Sequence, residues 1–208
     1  MRWIIALLLS VTMARAEGDR PGNFDYYVLA LSWSPAWCDA VGEARGSPQC
    51  DRDLGWVLHG LWPQYESGWP SECPTSIADP SETLTGQMTD IMGDRGAVRH
   101  QWRRHGTCSG LDAQAFFDLS RRAYDGVARP QVLRDLDREV TLPASVIEEA
   151  FLKANPDLEP DQITITCRDG GIREARICLT RDLEPRTCGA DVIRDCTLDD
   201  ARFLPIDR

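Results

Sequence analysis

The sequence predicts a single domain of mixed α and β structure held together by disulfides, on three observations. An alternating apolar stretch near the C-terminus turns at Asp169-Gly170-Gly171 and returns, the pattern of a hairpin. Apolar residues recur at helical spacing from Asp112 to Val127. Eight cysteines, an even number, lie at wide and irregular intervals in the chain.

At the N-terminus, Met1 and Arg2 precede an apolar run from Trp3 to Val11, and Ala14-Arg15-Ala16 has the small-residue spacing of a cleavage site. That run is too short to cross a bilayer. Residues 1–16 are therefore expected to be a signal peptide and residues 17–208 one exported domain, periplasmic or secreted, beginning at Glu17. No later stretch has membrane-spanning length, and no repeat or Gly/Ser linker divides the chain.

The elements follow in order. Phe24–Trp33 is rich in aromatic and aliphatic residues and runs into Ser34-Pro35, which predicts a buried strand stopped by proline. Trp56–Trp62 is a second strand of the same kind. Gly96–Arg104 is expected to be helical. Asp112–Val127 places Ala115, Phe116, Leu119, Ala123 and Val127 on one face. A third helix is expected over Ser145–Ala154, with Val146, Ile147, Ala150 and Phe151 inward and Asn155-Pro156 as its stop. The hairpin arms are Gln162–Arg168 and Ile172–Thr180.

Charge excludes one class of function. The chain carries a formal charge of −10; without Arg2 and Arg15 of the leader, 21 basic residues face 33 acidic ones, giving −12. A general nucleic-acid binder needs a broad basic surface for phosphate contacts. An enzyme needs only a small cationic cleft.

The chain has three histidines, and they fall in two short stretches: His59 in WVLHGLWPQ, and His100 with His105 in VRHQWRRHGTC. At about 100° per residue on a helix, His100, Gln101, Arg104 and His105 share one polar face, with Trp102 packing inward and Arg103 at the rim. Gly106 is expected to end that helix as a cap, and Cys108 to tie it down.

Leu58-His59-Gly60-Leu61-Trp62-Pro63 and Gln101-Trp102-Arg103-Arg104-His105-Gly106-Thr107-Cys108 closely resemble the two active-site signatures of the RNase T2 family. FDYYVLALSWSP resembles that family's N-terminal strand, so the likeness spans most of the chain after residue 16, and the last third matches mainly through its cysteines. The resemblance implies an α+β fold with an antiparallel sheet and helices packed around it. It also implies metal-independent endoribonuclease activity on single-stranded RNA with low base specificity, through a 2′,3′-cyclic phosphate. RNA is the implied partner, DNA is not, and no cofactor or metal is called for.

Carried over by motif position, His105 would take the 2′-OH proton, His59 would protonate the departing 5′-oxygen, and His100 and Arg104 would hold the phosphate. Histidine suits this work because its ordinary pKa, near 6.5, lets neutral and protonated imidazoles coexist in weak acid. The family usually has glutamate at the position of Gln101 and often lysine at that of Arg104. Arg104 keeps the charge and adds a planar fork, whereas Gln101 can only make hydrogen bonds. Trp62 resembles the family residue that stacks on a base, a contact worth roughly 1–3 kcal/mol. Gln64, where some relatives carry an acidic group, and Tyr65 are further candidate substrate contacts. Trp33, Trp37, Trp56 and Trp69 are read as packing residues.

The cysteines Cys38, Cys50, Cys73, Cys108, Cys167, Cys178, Cys188 and Cys196 are read as structural. Eight cysteines allow on the order of 100 pairings, so chain order does not fix the connectivity. By the resemblance, Cys73 pairs with Cys108 and Cys38 with Cys50. A nested Cys167–Cys196 and Cys178–Cys188 arrangement is expected for the rest.

Two rival readings stay in view. The three histidines suit a zinc hydrolase in number, but neither the HExxH spacing nor a Cys-x-x-Cys pair occurs. A secreted binding or toxin-like protein would keep the fold without the chemistry. The expected state is a monomer.

Overall fold

A computed structural model of the chain describes residues 19–206. The expected signal peptide, residues 1–16, and the expected start at Glu17 lie outside the described residues. Among the described residues six strands form one sheet: β1 (Tyr26–Trp33), β2 (Trp56–Gln64), β3 (Val140–Leu142), β4 (Ile163–Arg168), β5 (Gly171–Leu179) and β6 (Ala201–Phe203). Their order is β2-β1-β5-β6-β3, with β4 also pairing with β5. All pairings are antiparallel except a short parallel join of β6 to β5 at Gly171. Three longer helices accompany the sheet: α1 (Arg95–Arg104), α2 (Ala113–Gly126) and α3 (Ala144–Ala154).

β1 is buried along its whole length because it has a strand on each side and packed layers above and below. Its side chains alternate between the two faces, as strand geometry requires. Tyr27, Leu29, Leu31 and Trp33 enter the main core with Phe116 and Phe117 of α2 and Ile147 and Phe151 of α3. Tyr26 and Val28 point the other way, into a smaller cluster with Cys178, Cys188 and Val192. The strand stops where Ser34 and Pro35 start a short helical turn, as the proline predicted.

The β4–β5 hairpin turns on Asp169 and Gly170, both at positive φ (50° and 78°), the geometry of a two-residue type I′ loop. Asp94 caps α1 by accepting the Ala97 N–H at 2.9 Å, and Asp112 caps α2 by accepting the Ala115 N–H at 2.8 Å. Two expectations need correction. Val146 is 39% exposed, because it sits one residue off the stripe that buries Ile147 and Phe151. β3 and β6 were not expected: each is three residues long, and they pair with one another across the chain, so neither shows a period of its own.

The disulfides are Cys38–Cys50, Cys73–Cys108, Cys167–Cys196 and Cys178–Cys188, the pairing expected above. Among the described residues no cysteine is free, and no helix is long and apolar enough to cross a membrane.

Candidate active site

The first histidine is aimed by an irregularity in the sheet. Along β1 and β2, Ala30 faces Gly60 and Leu31 faces Leu58, so His59 is an extra residue without a partner on β1. Such a bulge resets the alternation and redirects one side chain. Leu58 and Leu61 both keep to the main core, while His59 reaches the opposite face and meets β5.

There its Nδ1 lies 2.6 Å from Oε1 of Glu174. Glu174 is 2% exposed, and Arg176, two residues along the same strand, clamps its other oxygen through Nε at 3.0 Å and Nη2 at 2.7 Å. Burial pushes the carboxyl's pKa up, but the hydrogen bond and charge of His59 and the Arg176 guanidinium outweigh it and bring it down to about 2. Glu174 is therefore an anion throughout the useful pH range.

His105 occupies the C-cap of α1, its N–H donating to the Gln101 carbonyl at 3.0 Å. Its ring is half-buried, and Nδ1 is sealed from solvent without a hydrogen-bond partner among the described residues. Burial, then the charges of His59, Arg104 and His100, drives its pKa from 6.5 to about 3. The ring is accordingly held as a neutral imidazole through moderate acid.

Trp62 joins the two histidines. Its ring centroid lies 5.2 Å from that of His59, edge-on, and 5.2 Å from that of His105, stacked. The imidazoles are thus separated by no more than twice that distance. The indole N–H donates to Oε1 of Gln101 at 2.8 Å, and the Arg176 guanidinium carbon lies 5.3 Å over the ring. Gly60 makes this arrangement possible: a Cβ there would fall 2.2 Å from Gln101 Oε1 and 2.3 Å from Trp62 Nε1.

A pocket of about 280 Å³ opens beside these groups, lined by Trp62, Gln64, Trp69, Arg104, His105, Arg176 and Asp191 with two valines. Arg104 pairs with Glu72 at 3.1 Å, an exposed ion pair of the kind that contributes little and exchanges readily for another anion. One oxygen of Asp191 accepts the Gly68 N–H at 2.6 Å; the other is buried with no partner among the described residues.

The sequence-predicted residues divide as follows. His59, His105, Trp62, Gln101 and Arg104 converge, and Gln64, 4% exposed, lines the pocket beside them. Gln101 is not open on the polar helix face: it is 3% exposed and serves as acceptor to Trp62. His100 is exposed and lines a separate groove with Trp37, Arg45 and Arg52, outside the pocket that holds Arg104 and His105. Tyr65 packs against the core, and its hydroxyl donates to Asp19 at 3.3 Å, away from the pocket lining. Trp102 is fully buried and Arg103 pairs with Asp79 at the surface, as expected.

Helix α1 ends just before Gly106, as expected, but not through a left-handed glycine: a Cβ there would strike the Trp102 ring at 2.4 Å and Phe116 at 3.0 Å. One further reading is corrected. Trp69 is not a packing residue: it is 54% exposed at the pocket. Glu174, Arg176 and Asp191 were missed altogether. A signal existed for the first two, since GIREARICL sets opposite charges two residues apart, on one face of an otherwise apolar strand. Among the described residues no group of three or more His, Cys, Asp or Glu side chains is placed to hold a metal ion.

Sheet, helix and convergent imidazoles together define the class: a disulfide-braced α+β protein whose site is arranged for proton exchange beside a cationic pocket. More particularly, the family model described as "Ribonuclease T2 family" matches residues 24–188, and the chain belongs to that family. It is 42% identical over 123 residues to a protein from Aeromonas hydrophila named "Ribonuclease", covering 56% of this chain and 55% of that one. The chain thus spans about half the length of that curated relative. Among solved structures, trichomaglin, titled a novel S-like ribonuclease, superposes with a TM-score of 0.70 at 20% identity, over 89% of this chain and 100% of its own. RNase NT in complex with 5′-AMP gives 0.65 at 20% identity, over 88% and 98%. These likenesses show the fold.

Proposed function

We propose that the chain is an endoribonuclease that cleaves single-stranded RNA by metal-independent transphosphorylation. The observation that carries the reading is the packing of His59 and His105 against one indole, with Arg104 and Arg176 on the adjoining pocket. His105 removes the proton from the ribose 2′-OH; the 2′-oxygen attacks phosphorus. As the P–O5′ bond breaks, His59 gives a proton to the departing 5′-oxygen and a 2′,3′-cyclic phosphate remains. Water later opens it with the two roles exchanged. Arg104 stabilises the extra negative charge on the phosphorane, a task for fixed donors in a partly dry site.

Trp69 offers an open aromatic face to a base and Trp62 lines the same pocket, which favours low sequence selectivity because every base has a π-face. Named ribonucleases among the relatives, and a structural neighbour titled with a bound nucleotide, support RNA as substrate. Four disulfides favour an oxidising compartment, and hence export, for a single domain over residues 17–208 acting as a monomer.

The test is the chemistry of the fragment ends. Purified protein in excess chelator should release cyclic-phosphate ends from yeast RNA and leave single-stranded DNA, which lacks the nucleophile, intact. His59→Phe and His105→Phe should each be inactive. Wild type as inert as both variants would favour a non-catalytic binding protein, and activity restored only by zinc would favour a metallohydrolase.

A further inference from the structure

Glu174 is held more tightly than a structural residue needs to be. It is a carboxylate at 2% exposure that engages His59 at 2.6 Å, two nitrogens of Arg176 at 3.0 and 2.7 Å, and the Ser32 hydroxyl at 3.4 Å. Buried ion pairs of this kind are weak contributors to stability, and an apolar side chain would fill the same space at less desolvation cost. What the carboxylate does supply is direction. An ionised carboxylate only accepts hydrogen bonds, so Nδ1 of His59 must carry the proton between them. Nε2 is then the nitrogen left to exchange protons with substrate.

We infer that Glu174 is a positioning residue for His59, with Arg176 as its clamp, fixing the tautomer and ring orientation needed to protonate a leaving oxygen. This rests on the reading of His59 as the acid. In the step concerned, the 2′-O–P bond forms, the P–O5′ bond breaks, and the proton on Nε2 passes to the 5′-oxygen, leaving a neutral imidazole. Glu174 stays ionised throughout and stabilises the imidazolium from which the proton departs. The Arg176 guanidinium lines the substrate pocket, so the clamp and the pocket wall are one side chain.

The experiment compares two leaving groups. A dinucleotide needs its departing 5′-oxygen protonated, whereas a nucleoside 3′-aryl phosphate expels a stable phenolate without that help. His59→Ala sets the benchmark. Glu174→Gln should lower kcat on the dinucleotide by about 10²-fold, the scale of one acid–base contribution, with KM unchanged and the aryl ester affected less than about threefold. Equal losses on both substrates, or no loss on either, would overturn the inference. Should Glu174→Gln fail to fold, Glu174→Asp, which keeps the charge but shortens its reach to His59, must show a smaller split in the same direction. If His59→Ala shows no split, it is the assignment of the acid that fails, and Glu174 with it.

Discussion

Trp62 donates its indole N–H to Oε1 of Gln101 at 2.8 Å, and this contact assigns the glutamine a part that a hydrogen-bond acceptor can fill. Gln101 holds the ring against which both histidines pack. Gln101→Leu should leave the indole N–H without a partner and cost about 1–3 kcal/mol of stability, with kcat/KM falling as the histidines lose their spacer. Gln101→Glu keeps an acceptor and should retain more activity than Gln101→Leu. Urea denaturation and initial rates on a dinucleotide check both.

Gly60→Ala is expected to be among the most damaging small changes on β2. The added methyl would meet Gln101 and Trp62 at distances real Cβ atoms do not tolerate. Overpacking of this kind costs about 1–3 kcal/mol, and here the displaced atoms are the ones that hold the site. Crystallography of the variant should show Trp62 shifted; an unmoved indole with full activity would contradict the packing argument.

The pH dependence follows from His105. Its native pKa of about 3 lies below the ordinary 6.5, so the base is already neutral in moderate acid. The acid limb of kcat/KM, which reports the free enzyme, should fall near pH 3 rather than near 6.5. Arg104→Gln removes one of the charges that depress this pKa and should move the limb upward. For stability the sign is the same: a depressed pKa favours the native state above 6.5 and is lost as pH falls through about 3. Glu174 adds a loss that begins below 4.5 and ends near 2. Acid titration of a His105→Phe variant should show a shallower loss of stability between pH 6.5 and 3 than wild type.

Removing the Cys73–Cys108 bridge should cost about 2–5 kcal/mol and reduce activity more than removing Cys38–Cys50. Cys108 closes the turn that follows His105, whose carbonyl accepts the Cys108 N–H at 3.0 Å. Calorimetry and rate measurements on the two paired-serine variants distinguish a global loss of stability from a local loss of geometry.

Trp69→Ala should leave stability within about 0.5 kcal/mol, as for most surface changes, because the ring is 54% exposed. KM for RNA should rise about tenfold, in keeping with one lost base stack. An unchanged KM would remove Trp69 from the substrate pocket.

By itself the sequence determined the elements whose period is strong: β1 with its proline stop, the Asp169-Gly170 hairpin, α2 and α3, and the two motifs that hold the histidines. These are local patterns, fixed by side-chain alternation and turn chemistry over a few residues. The tertiary structure alone decided where those side chains point. A one-residue bulge turned His59 to the face of Glu174, the approach of α1 to β2 buried Gln101 under Trp62, and the loop carrying Trp69 left that ring open to solvent. Each depends on contacts between segments far apart in the chain, such as the 115 residues from His59 to Glu174. No periodicity within either segment encodes such a contact, because strand pairing and core packing between remote segments fix it.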